Sequence, residues 1–147
     1  MVKQERILRI VRILFIVYAA SLFWILHILK PSVTTPPAPV LYESITALAV
    51  ADGLIGILVQ RLMLKAKARP LLNGKMRTPA QRWFSANVIR LAFATSTSLF
   101  GFELHMLSAP ERLAQILVGL GILYMLMPLG KPPAEPAESA LGSIKQG

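Results

Sequence analysis

The segment RILFIVYAASLFWILHILK contains a run from Ile13 to Leu29 with no Asp, Glu, Lys or Arg, and three further apolar runs follow it. Long apolar blocks, as opposed to amphipathic spacing, identify lipid as the solvent against which the chain folds. In lipid every backbone N–H and C=O must find a partner within the chain, so each block has to be a helix or part of a closed barrel. Blocks of this length fit helices. A hydrophobic content of 54% with only 16% charged residues excludes an ordinary soluble domain.

The sequence therefore predicts an all-α integral membrane protein, a four-transmembrane-helix bundle. Its spans are expected at about 9–29, 41–63, 83–107 and 111–129, forming one domain over residues 1–130. The segment 131–147, polar and rich in Pro and Gly, is expected to be a disordered tail. The first span is read as retained: its apolar core is longer than that of a signal peptide, and the proline-rich PSVTTPPAP follows it instead of a cleavage site. Residues 31–39 are expected to form a short extended connection outside the membrane, and SAPER to form a tight turn.

Charge orients the bundle. Lys3, Arg6, Arg9 and Arg12 precede the first span, and the middle loop collects Arg61, Lys65, Lys67, Arg69, Lys75, Arg77 and Arg82 with no acid. The other two connections carry only Lys30 and Arg112. By the positive-inside rule both termini and the middle loop are cytoplasmic, with a bacterial inner membrane as the expected location. The basic loop residues are expected to touch anionic lipid headgroups. A net charge of +9 would suggest nucleic acid in a soluble protein, but this loop lacks interleaved aromatics, and no nucleic-acid partner is expected.

Ionisable residues inside a span need a reason, because even lenient insertion scales charge about 2.5–3.5 kcal/mol for them. Asp52 lies nine residues before Arg61 and Arg90 eight after Arg82, which at 1.5 Å per residue predicts depths of about 13 and 12 Å. Their flanks suit close helix contact. Ala49, Gly53 and Gly56 share a face with Asp52, and Ala94, Thr97, Ser98 and Gly101 share one with Arg90. A structural ion pair between Asp52 and Arg90 is the leading reading. A cation-binding carboxylate at Asp52, or a snorkelling Arg90 beside a protonated Asp52, are the alternatives.

Other chemistry is sparse. The absence of cysteine excludes disulfides, thiolate metal sites and a cysteine nucleophile. His27, Glu43, Glu103 and His105 fall near the outer span ends, where interfacial polar roles are commoner than metal ligation, so no metal is expected. Tyr18, Trp24, Tyr42 and Tyr124 read as packing and interfacial residues. Gly119 and Gly121 sit inside an apolar helix and cradle no phosphate, and neither HExxH nor a nucleophile elbow occurs. Neither an enzyme nor a cofactor is expected.

The stretch ATSTSLFGF, residues 94–102, resembles the ion-binding segment of the proteolipid c subunits of rotary ATPases, and VGLGILYML in the fourth span has a similar character. Thr95 stands where that family carries its glutamate. The chain also resembles small four-span bacterial membrane proteins with a related third-span pattern. The resemblances imply a four-helix architecture and, from the proteolipids, ion translocation. Two functions are weighed: a non-catalytic accessory or scaffold subunit acting through helix packing, with other membrane subunits or self-association as partners, and a small ion-translocating protein using Asp52. A membrane enzyme built on the outer His/Glu group is a third and weaker reading.

Overall fold

The computed structural model describes residues 2–30, 38–65 and 78–130. Over these residues the chain forms four helices and no strands: α1 (Val2–Ile28), α2 (Pro39–Lys65), α3 (Pro79–Met106) and α4 (Glu111–Leu126). The expected tail 131–147 and most of the 31–39 connection lie outside the described residues. Pro39, expected in that connection, instead opens α2. A proline fits there because the first helical N–H has no intrahelical acceptor to lose.

Local chemistry sets the other helix ends. Thr-Pro-Ala-Gln begins α3 four residues earlier than the expected span. Thr78 Oγ1 accepts from Gln81 N (3.2 Å), and Gln81 Oε1 accepts from Thr78 N (3.0 Å). This reciprocal capping box satisfies two donors that a helix start otherwise leaves free. At its far end α3 closes with Ser108 at φ 62°. Ser108 N donates to His105 O and Ala109 N to Leu104 O, both at 3.0 Å, the paired bonds of a Schellman turn. The fourth helix stops at Leu126, short of the expected 129. Pro128 disfavours helical geometry in the residue before it, and Met127 is extended at φ −55°, ψ 147°.

The helices run up, down, up and down. Helices α3 and α4 form the short diagonal of the bundle, α1 packs on both, and α2 lies chiefly along α3. Among the described residues α1 and α2 do not pack on each other. Small residues permit the close diagonal: a Cβ on Gly121 would lie 2.6 Å from Ala94 O, and one on Gly101 2.7 Å from Ala114 O.

Large apolar side chains lie both inside the bundle, where Leu8, Leu26, Leu91, Leu104, Leu117 and Met125 are buried, and outside it. Large apolar side chains such as Ile13, Val17, Trp24, Leu48, Leu58 and Leu123 face outward, while Asn87, Arg90, Thr97 and Ser98 are buried. The exposed large hydrophobics belong to α1, α2, α4 and residues beside them, and none lies on α3. Helices α1 and α2 are each long and apolar enough to cross a membrane.

Candidate functional site

The polar interior gathers where α4 ends. Its last carbonyls have no intrahelical donors and carry the negative end of the helix dipole. Arg90, on α3, reaches the two carbonyls that follow the helix from inside the bundle: Nη1 donates to Pro128 O (2.8 Å) and Nη2 to Met127 O (2.7 Å). Arg12 approaches from α1, its Nε donating to Met125 O (2.8 Å) and its Nη2 to Leu126 O (2.5 Å). Helix α2 supplies Gln60, whose Oε1 accepts from Arg90 Nη1 (3.2 Å) and whose Nε2 donates to Asn87 Oδ1 (2.7 Å). Asn87 Nδ2 in turn donates to Trp83 O (2.7 Å), so all four helices are tied at one level.

This network is a cation-capped helix end. The guanidinium groups of Arg12 and Arg90 meet carbonyl oxygens and not a carboxylate, whereas the exposed Glu5–Arg9 contact on α1 is an ion pair. Charge-assisted bonds to carbonyls together with a half-charge of dipole can hold an arginine in a poorly hydrated site. Arg90 is 3% exposed, and its Nε has no hydrogen-bond partner. The indole nitrogen of Trp83 is likewise buried without one.

The structure does not bring Asp52 and Arg90 together. The Nη1 and Nη2 groups of Arg90 donate to Met127 O, Pro128 O and Gln60, and Asp52 is half-buried with Oδ2 shielded and unpartnered. The reason is register. Thr97 Oγ1 donates to Ala49 O (3.1 Å) and Gln60 bonds Asn87, which sets position 57 opposite Arg90. Asp52 is then about five residues deeper, roughly 7.5 Å at the α-helical rise. Taking Arg61 and Arg82 as level boundaries hid this offset, because both helices continue beyond them.

The small-residue faces are packed, though not as one seam. Ala49, Gly53 and Gly56 are buried on α2, Gly53 under the ring of Tyr124 and Gly56 against Phe93. On α3 only Thr97 of the expected set bonds α2. Ala94, Ser98 and Gly101 turn to α4, where Ser98 Oγ donates to Val118 O (3.3 Å). Thr95 is buried and donates to Leu91 O of its own helix (2.9 Å).

At the opposite end the His and Glu residues stay apart. His105 Nε2 lies 2.9 Å from Leu29 O, whereas Glu43, Glu103 and His27 are exposed. Among the described residues no group of three or more His, Cys, Asp or Glu side chains could hold a metal. Of the proposed lipid-contact set, Arg61 and Lys65 are exposed and Arg82 half-buried, while Lys67, Arg69, Lys75 and Arg77 lie outside the described residues.

Sequence reasoning missed Arg12, Gln60 and Asn87. Arg12 belongs by composition to the basic head, although it stands one residue before the charge-free run, and Gln60 and Asn87 carry no charge to mark them. Comparison with known proteins gives no match to any family model, to any curated protein or to any solved structure.

Proposed function

We propose that this chain is a four-span protein of the cell membrane, of bacterial inner-membrane type, that acts without catalysis as an accessory or scaffold subunit through helix packing. The observation that carries the reading is the large apolar side chains turned outward on α1, α2 and α4, together with polar groups that sit within the apolar core and largely end on backbone carbonyls. Such an interior serves cohesion between helices. Helix α3 needs no apolar exterior as a span, because the other three helices shield it.

Termini and middle loop are cytoplasmic in this proposal. Lys3, Arg6, Arg9, Arg12, Arg61, Lys65 and Arg82 belong to the end of the bundle where α4 finishes, and Lys30 and Arg112 to the other. The exposed basic residues contact anionic headgroups there. Cysteines introduced at Thr35 and Asn73 test the arrangement with an impermeant thiol reagent in intact cells. Labelling at Thr35 alone is expected, and labelling at Asn73 alone would invert it. Purification in mild detergent followed by mass spectrometry tests the accessory role, with a stoichiometric membrane partner or a self-assembly as the expected result.

A second reading, a small ion-translocating protein, is favoured by one observation: Asp52 Oδ2 is shielded and has no hydrogen-bond partner. Cation-dependent transport in vesicles that disappears with Asp52→Asn would replace the first reading with this one.

A further inference from the structure

We infer that the groove between α2 and α4 is the docking site for α1 of a second copy of this chain, giving a head-to-tail assembly. This rests on the membrane reading above. The groove is open, about 630 Å³ in volume, and lined by residues that include Tyr42, Glu43, Ala47, Ala51, Leu54 and Leu113. Its α2 positions 43, 47, 50 and 54 repeat at the three-and-four spacing by which one helix receives another at a shallow angle.

The outward face of α1 has the matching pattern. Ile10, Leu14, Val17, Ser21, Trp24 and Ile28 follow the same spacing, and Trp24 is 72% exposed. Within one chain this face is turned away from α3 and α4, and α1 does not pack on α2. The two surfaces therefore lie on opposite sides of the bundle, so α1 cannot enter the groove of its own chain and a neighbour's α1 can.

Depth decides between occupants. His105 bonds Leu29 O across 76 positions, and Leu26 clusters with Phe102, which sets Trp24 level with Phe100. The α2–α3 register then sets Phe100 level with Ala47 and Phe93 level with about position 54. Copies inserted in one membrane share these depths. A neighbour's Trp24 accordingly meets the small residues of the groove, Val17 meets Leu54, and Lys30 comes within about one turn of Glu43. Small residues opposite a large exposed ring, and a cation opposite the acid at the groove mouth, are complementary. A symmetric α2–α2 contact would instead bring two Glu43 carboxylates together, since a two-fold axis along the membrane normal makes the helices parallel.

The chain has no cysteine, so disulfide cross-linking in membranes of the full-length protein reports the contact without background. The double variant Trp24→Cys/Ala47→Cys is expected to give a ladder of dimers, trimers and higher species on oxidation, and each single variant none. Val17→Cys/Leu54→Cys, which keeps the tryptophan, is expected to give the same ladder. Lys30→Glu should reduce the ladder at least fivefold, and adding Glu43→Lys should restore it. Dimers from Ala47→Cys alone would overturn the proposal in favour of a symmetric interface. Absence of a ladder from both double variants, with normal thiol labelling at positions 35 and 73, would overturn it in favour of lipid or a different protein in the groove. Abnormal labelling would instead reject the membrane topology on which it rests.

Discussion

Arg12 and Arg90, on different helices, donate to the same carbonyl: Met127 O lies 2.7 Å from Arg90 Nη2 and 3.5 Å from Arg12 Nη2. Two cations converge on a helix end because its unpaired carbonyls and dipole supply the negative potential that a carboxylate would otherwise provide. Arg12 is half-exposed and Arg90 is buried, and this difference in burial sets their relative worth.

Arg90→Met is expected to lower stability by about 3 kcal/mol, since it leaves Pro128 O and Gln60 Oε1 without a donor and Met127 O with only the long contact from Arg12. Arg90→Lys retains the charge but cannot fork between Met127 O and Pro128 O, and should cost about 1–2 kcal/mol. Arg12→Ala, at a half-exposed position, should cost about 1 kcal/mol. Unfolding of the purified protein in mild detergent gives the ranking, and equal effects at positions 12 and 90 would show that burial is not the deciding factor.

Asp52 and Arg90 should behave as independent sites. Asp52→Asn alone is expected to leave stability unchanged or slightly raised, because Oδ2 has no hydrogen bond to lose. A double-mutant cycle with Arg90→Met should give a coupling within about 0.5 kcal/mol of zero. Coupling of several kcal/mol would restore the ion pair.

Neighbouring glycines on α4 should respond in opposite directions. Nothing lies within 4 Å of a Cβ placed on Gly119, so Gly119→Ala is expected to stabilise by up to about 1 kcal/mol through helix propensity. Gly121→Ala would press on Ala94 O, a backbone atom that cannot rotate away. It should cost about 1–3 kcal/mol as α3 and α4 are forced apart. Thermal unfolding of the two variants side by side is the measurement, and loss of stability in Gly119→Ala would mean that this face is covered.

The hydroxyl run should act as glue. Thr97→Ala removes an interhelical bond to Ala49 O and is expected to cost roughly 0.6 kcal/mol. Thr95→Ala removes a bond to its own helix and should cost less. Neither should change the response of the melting temperature to sodium. A sodium-dependent shift that vanishes in Thr95→Ala would make the resemblance to ion-binding proteolipids functional.

The existence and approximate limits of the four helices were legible in the sequence, because apolar block length and the punctuation of Pro, Ser and charge are local quantities. Boundaries were less so. The α3 start depended on a Thr–Gln exchange three residues apart, and the α4 stop on what Pro128 does to Met127.

What Arg90 touches was not legible, and the reason is physical. A sequence marks a buried charge as needing compensation, and the nearest carboxylate in the pattern, Asp52, was the natural candidate. Carbonyls can also compensate a cation, but they belong to every residue and leave no mark in the sequence. Only the register of α2 on α3, and the placing of the α4 terminus between Arg12 and Arg90, decided which acceptors came within reach. Tertiary structure likewise divided the small residues of α3 between two neighbours, with Thr97 on α2 and Ser98 on α4. Adjacent positions on a helix point about 100° apart, and which neighbour waits in each direction is fixed by how the whole bundle packs.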